Sequence, residues 1–210
     1  MTQKKIALFG GTFDPIHIGH TTVAASAARY IDAEEVFFIP AKLSPLKGSS
    51  PQASDTDRLT MTALAIAEEK KFSVSSCELD RAAPSFTLDT VKYFLNKYGS
   101  VTQIYWLIGA DNIDDLVNWY GITELLDLCN LATMYRAGCE KPQFKRYESL
   151  WGAEHIEKLR RNIIPTPLVD ISSTEVRSRL AAGQDVSQIL HPAVANYIFK
   201  HGLYQLKTKQ

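Results

Sequence analysis

Residues 9–20 read FGGTFDPIHIGH, placing two glycines, an Asp-Pro step and two histidines within a dozen positions. Gly10 and Gly11 have no side chains, so a ligand can come close to their backbone. A helix starting just after them would offer an anion its unpaired amides and the positive end of its dipole. Asp14 is suited to cap that helix, and Pro15 to fill its first position, where an N–H is not needed. His17 and His20 are three apart, so on a helix they share a face beside the glycines, where each imidazole can donate to a phosphate oxygen. The set describes a phosphate seat. Each part also has an ordinary structural reading: a tight strand exit, a helix start and a partly buried histidine pair. A zinc site is disfavoured, because helical zinc pairs prefer the i, i+4 spacing and no other ligand cluster accompanies these two.

A second helix start occurs in DISSTEVRSRL, residues 170–180, where Ser172 and Glu175 have the spacing of a capping box. Ser173, Thr174 and Arg177 would then bring hydroxyls, amides and a guanidinium to another positive helix end, a combination suited to the outer phosphates of a nucleoside triphosphate. The stretch AKLSPLKGSSPQAS, residues 41–54, reads as a long surface loop from which Lys42 and Lys47 could close over bound phosphates. In GADNIDDLVNWY, residues 109–120, Asp111 follows Gly109 at a strand end, where a carboxylate can accept from ribose hydroxyls or cap the next helix. Trp119 and Tyr120 are an aromatic pair that suits either the core or stacking on a flat ring. In APSFTLDTVKYF, residues 83–94, Ser85 or Thr87 opens a further helix.

These pieces need a scaffold, and the rest of the chain spells one. Short runs rich in Ile, Val and Phe, at 4–9, 34–39, 72–79, 103–109, 131–136 and 163–171, alternate with helical periodicity. Helices are predicted over Pro15 to Tyr30, Ser54 to Lys71 and Thr87 to Tyr98, and over 112–128, 148–161, 173–182 and 192–201. The alternation predicts an α/β fold: a Rossmann-like, doubly wound parallel sheet of five or six strands with helices on both faces. At 210 residues it reads as a single domain, with a core to about residue 170 and a small helical C-terminal subdomain over about 171–210. In such a sheet ligands bind outside the carboxyl ends of the strands, where the candidate residues fall.

Lys+Arg and Asp+Glu are both 23, which argues against the diffuse basic field of a nucleic-acid binder and makes any anion site local. Cys77, Cys129 and Cys139 are odd in number and widely spaced, without a CxxC, suiting a reducing cytoplasm better than a disulfide framework. No apolar run is long enough to read as a membrane span or a signal peptide. Oligomeric state is left open, a homo-oligomer included.

GGTFDPIHIGH resembles the nucleotidyltransferase signature ending in H-x-G-H, and ISSTEVR, residues 171–177, is similar to the I-S-S-T-x-[IV]-R motif of the same enzymes. H-x-G-H also occurs in class I aminoacyl-tRNA synthetases, which are far longer and carry a KMSKS-type loop absent here. PAKLSPLK, residues 40–47, resembles the family's proline-rich loop, with Leu46 in place of the usual histidine. SFTLDT, residues 85–90, and GADN followed by Trp119 resemble bacterial nicotinate-nucleotide adenylyltransferases, as do RLTM at 58–61 and the closing HPAVANYIFKHGLY, residues 191–204.

The resemblance implies transfer of AMP from ATP to nicotinate mononucleotide, giving deamido-NAD and pyrophosphate, with Mg2+ carried by the ATP phosphates. It implies catalytic roles for His17, His20, Lys47 and Arg177. ATP contacts would come from Gly10, Gly11, Thr12, Phe13, His17, His20, Gly109, Asp111, Ile171, Ser172, Ser173, Thr174 and Arg177. Contacts to nicotinate mononucleotide would come from Thr12, Lys47, Ser85, Thr87, Trp119 and Tyr120. The alternatives are transfer to nicotinamide mononucleotide or phosphopantetheine, or a non-catalytic nucleotide-sensing domain.

Overall fold

A computed structural model of the chain describes residues 3–45, 49–136 and 140–205. Strands β1 (Lys5–Gly11), β2 (Glu35–Pro40), β3 (Phe72–Val74), β4 (Gln103–Gly109), β5 (Asn130–Arg136) and β6 (Ile163–Thr166) form one parallel sheet in the order β3-β2-β1-β4-β5-β6. Around it lie helices α1 (Ile18–Ile31), α2 (Asp55–Ile66), α3 (Thr87–Tyr98), α4 (Ile122–Leu128), α5 (Glu148–Arg161), α6 (Ser173–Ala181) and α7 (Pro192–His201). None of the described helices is long and apolar enough to cross a membrane.

Because successive strand side chains point to opposite faces, the apolar runs feed two cores at once. Ala7 and Phe9 of β1 and Val36 and Phe38 of β2 join the core under α1, α2, α6 and α7. Ile6 and Leu8, with Phe37 and Ile39, join the opposite core under α3, α4 and α5. Val176, Leu180, Val194 and Ile198 of the C-terminal helices belong to the first of these cores and are packed on the sheet.

Sequence order reverses between β1 and β4, which are direct neighbours. A crevice opens at such a switch point, outside the carboxyl ends of the strands. Here the segments leaving those ends are Thr12–His17 after β1 and Ala110–Asn112 after β4.

Several predicted boundaries change. The third strand stops at Val74, since β3 is an edge strand paired only with Val36–Phe38 of β2, and 75–86 turns into a strap across the sheet end. The sixth strand stops at Thr166, after which 167–172 lead to α6. The second helix ends at Ile66. The helix predicted over 112–128 is three pieces, 3-10 turns at Ala110–Asn112 and Asp114–Asn118 and then α4, because Trp119 is extended and Gly121 takes a left-handed φ of 62°. Leu88 fixes that glycine, since a Cβ there would lie 2.4 Å from its Cδ2. Within α5 the chain breaks at Gly152, at φ 77°.

Candidate active site

The first motif starts inside the sheet. Gly10 and Gly11 are the last residues of β1, in register with Ile39 and Pro40, rather than a loop beyond it. Neighbouring rings fill the space their side chains would take: a Cβ on Gly10 would lie 2.6 Å from the Trp106 indole, and one on Gly11 2.9 Å from the Phe13 ring. Packing therefore requires both glycines. Phe13 turns the chain with φ 46°, a conformation that side chains disfavour and that recurs at functional turns.

The helix starts later than predicted. Asp14 does not cap it, and Pro15 is not its first residue; α1 begins at Ile18 with His17 at the cap position. The Asp14 carboxylate accepts from the amides of Gln52 (2.8 Å) and Ala53 (3.1 Å) and from the Tyr204 hydroxyl (2.7 Å). Three distant donors outweigh one local cap. The Tyr204 hydroxyl is raised well above the ordinary tyrosine range, first by burial and then by its bond to Asp14. The Ile18 amide donates to the Ile189 carbonyl at 3.0 Å, so the open helix end expected at this motif is partly closed from within.

The two histidines meet as predicted. Their rings stack with centroids 3.7 Å apart, and the His17 amide donates to His20 Nδ1 at 3.2 Å. That bond makes Nδ1 of His20 the acceptor and leaves the ring proton on Nε2. The His20 ring stands edge-on to Phe13, with centroids 5.1 Å apart. The glycine between the histidines has a packing reason, because a Cβ on Gly19 would lie 3.0 Å from His17 Nδ1 and 3.1 Å from Val169.

Burial lowers the His17 pKa to about 4 from an ordinary 6.5, so the ring is neutral near pH 7 and has one N–H to give. Its folded value lies below its unfolded one, so the unfolded chain takes up the extra proton first. Stability is fully present above pH 6.5 and declines as pH falls toward and through about 4. The loss is on the order of 3 kcal/mol. A His17→Asn variant is expected to show a flatter profile over this window in urea unfolding at several pH values. Parallel slopes for variant and wild type would contradict the buried neutral ring.

The second turn comes to the first. Ser172 caps α6 by accepting from the Glu175 amide at 3.1 Å, but the Glu175 carboxylate pairs with Arg179, so only half of the predicted capping box forms. Ser173 donates its hydroxyl to the Pro15 carbonyl at 3.0 Å. Arg177 donates through Nη1 to the Asp14 carbonyl at 2.7 Å and through Nη2 to Thr174 Oγ1 at 3.2 Å. Residues 158 and 163 positions apart thus share one junction, with Ile171 and Ser172 leading into it.

A third group gathers beside it. Arg58, fully buried on α2, donates through Nη1 to the carbonyls of Thr12 (2.8 Å) and Ala41 (2.7 Å), clamping the loop after β2 to the first motif. The next residue, Lys42, donates its amide to Ser85 Oγ at 3.0 Å. Its ammonium is bound to the carbonyls of Leu79 and Arg81, at 3.1 and 3.2 Å, so Lys42 holds the strap and is neither a phosphate hook nor a solvated surface lysine. Lys47 and Leu46 lie outside the described residues.

Ser85 is buried and leads through Phe86 to Thr87, the first residue of α3. The Phe86 ring lies on Tyr120, with centroids 4.6 Å apart, so the amino end of α3 abuts the Trp119–Gly121 turn. Tyr120 is the exposed member of the aromatic pair, at 59%, whereas Trp119 is half-buried against the second core. Asp111 is exposed beyond β4, and its carboxylate folds back over Gly109, where a Cβ would come within 2.3 Å of Oδ1.

Arg58 and Tyr204 fall in the matching segments RLTM and HPAVANYIFKHGLY, but no site role was read for them or for the Gln52–Ala53 amides. The role of Tyr204 has no local signal, because its partner is 190 residues away.

The sheet order and the junction of two helix starts over its switch point define a doubly wound, Rossmann-like protein of the kind that seats a nucleotide there. The cytidylyltransferase-like family model matches residues 8–179. A Neisseria meningitidis serogroup B protein named "Probable nicotinate-nucleotide adenylyltransferase" is 40% identical over 203 residues, covering 97% of this chain and 100% of that protein. A Thermoanaerobacter protein of the same name is 36% identical over 206 residues, covering 97% and 95%. The chain belongs to the cytidylyltransferase-like family and, within it, to the nicotinate-nucleotide adenylyltransferases.

Two solved structures share the fold. The Plasmodium falciparum nicotinic acid mononucleotide adenylyltransferase complexed with NaAD matches with a TM-score of 0.73 at 21% identity, covering 96% of this chain and 98% of that one. A putative nicotinate-nucleotide adenylyltransferase from Vibrio parahaemolyticus matches with a TM-score of 0.67 at 21% identity, covering 97% and 96%.

Proposed function

We propose that this chain transfers the adenylyl group of ATP to nicotinate mononucleotide, releasing pyrophosphate and forming deamido-NAD. The observation that carries the reading is the junction of the two turns, Ser173 on Pro15 and Arg177 on Asp14, over the β1–β4 switch point. The acceptor's phosphate oxygen bonds to the α-phosphorus of ATP as the bond to the bridging oxygen of pyrophosphate breaks. A phosphate monoester has a second pKa of about 6, so the nucleophile is already ionised near neutrality and needs no general base.

The protein's part is alignment and relief of developing charge. The neutral His17 ring and the Nε2–H of His20 donate to phosphate oxygens; Arg177 and Lys47 balance the charge on the outer phosphates. Asp111, in the turn after β4, would accept from ribose hydroxyls. The Asp14 carboxylate is committed to three donors and does not suit a metal ligand. Magnesium would be carried by the triphosphate and water rather than by a protein cage.

On the acceptor side, the amides at Thr87, the amino end of α3, and at Tyr120 face the pyridine carboxylate, and the free surface of Trp119 stacks on its ring. Ser85 and Thr12 flank the same space, joined through Lys42, Ala41 and Arg58. The free thiols of Cys77 and Cys129 fit a cytoplasmic place of action.

A pyrophosphate-release assay with ATP and three acceptors tests the reading. Nicotinate mononucleotide is expected to exceed nicotinamide mononucleotide in kcat/KM by about tenfold or more, because amides aimed at a carboxylate lose charge-assisted bonds to a carboxamide. A larger rate with phosphopantetheine would move the chain to another acceptor. No release with any of them would favour a nucleotide sensor.

A further inference from the structure

The strap between β3 and α3, residues 75–86, contains a carboxylate that the reaction does not use. Glu78 is 3% exposed and accepts from the Thr90 hydroxyl of α3 at 2.6 Å. Arg81 Nη2 donates to that same hydroxyl at 2.6 Å and to the Phe86 carbonyl at 2.9 Å, and lies 3.6 Å from Glu78 Oε1. The Ser85 hydroxyl lies near enough to Glu78 to favour its charged form, and it accepts from the Lys42 amide at 3.0 Å. The Ser85 amide donates to the Leu43 carbonyl at 2.9 Å.

The donors run in one direction, from Arg81 through Thr90 to Glu78, so each polarises the next. A buried carboxylate left without these donors is expensive, so the arrangement has one low-energy geometry. That geometry fixes three things at once: the Phe86 carbonyl at the cap of α3, the Ser85 backbone, and residues 42–43 after β2. All three border the acceptor side. The triphosphate side is held by different groups, Asp14, Arg177 and Ser173.

We infer that Glu78 is a positioning residue for the acceptor: through Thr90, Arg81 and Ser85 it sets the α3 amino end and the loop after β2 against the pyridine nucleotide without touching it. The inference rests on the function proposed above and extends it to a residue outside the motifs of the two turns. It makes the two substrates separable, because a change at Glu78 disturbs one side of the crevice and leaves the junction of the turns intact.

The test is steady-state kinetics of Glu78→Gln and Thr90→Val with both substrates varied, at temperatures where thermal melts show each variant folded. Either change keeps side-chain size and removes a member of the relay, so Thr90→Val carries the test should Glu78→Gln fail to fold. The expected result is a KM for nicotinate mononucleotide raised about tenfold, with KM for ATP within about twofold of wild type. Substitution by Thr90→Ser, which restores the hydroxyl, should return the acceptor KM most of the way. An unchanged acceptor KM, an equal rise in both KM values, or a lowered melting temperature with normal kinetics would overturn the inference. Wild-type protein inactive with nicotinate mononucleotide would instead remove the functional reading, and the inference with it.

Discussion

His20→Ala is expected to lower kcat by about a hundredfold or more while ATP affinity changes by less than about threefold. The His17 amide occupies His20 Nδ1, so the imidazole has a fixed tautomer with Nε2–H as its outward donor. Stacking on His17, an edge contact to Phe13 and a tilted one to Phe9 hold the ring in place, so little reorganisation is needed when charge develops on the phosphates. A donor poised in this way gains most in the transition state, and its removal falls on kcat rather than on ground-state binding. Some stability is lost too, since the His17 amide is left without its acceptor, at about 1 kcal/mol. Melting curves, steady-state rates and ATP titration separate the terms. Near-normal turnover in a folded variant would remove His20 from the chemistry.

The same pair of histidines shows what the sequence could and could not convey. Their three-residue spacing placed the rings together, and alternating apolar runs placed five or six parallel strands, of which the structure has six, with helices on both faces, because both signals are local and periodic. The turn between was misread for a physical reason. Asp-Pro before a helix is an ordinary cap, and only contacts 38 to 190 residues away, to Gln52, Ala53 and Tyr204, draw the carboxylate elsewhere.

Gly10 and Gly11 were legible as glycines that something must approach, but the approaching groups are Trp106 and Phe13. Lys42 read as a solvated lysine that could at most reach a phosphate, whereas two carbonyls of the strap hold its ammonium. The third strand was overrun in prediction because FSVSSCEL has further apolar residues, Cys77 and Leu79, after pairing with β2 has ended. In each case the local pattern was read correctly and a tertiary partner decided the outcome.

Arg177 is where tertiary partners and proposed chemistry coincide, and its replacement should have the largest effect of all. Arg177→Ala is expected to lower kcat/KM for ATP by about a thousandfold and to destabilise the fold by about 1–3 kcal/mol. The stability term follows from the 2.7 Å bond to the Asp14 carbonyl, which loses its guanidinium donor at the point where the two turns join. The kinetic term follows from the loss of a cation held beside the first motif, with the orientation of that motif loosened at the same time. Arg177→Lys separates the two. It keeps the charge but cannot span from the Asp14 carbonyl to Thr174 while also facing phosphate, because an ammonium is a point donor and a guanidinium a planar fork. Recovery of less than about a tenth of the lost kcat/KM is therefore expected from lysine. Full recovery would mean that charge alone suffices and that the fork serves only the fold. Unchanged activity in the alanine variant would separate the junction of the turns from the reaction altogether.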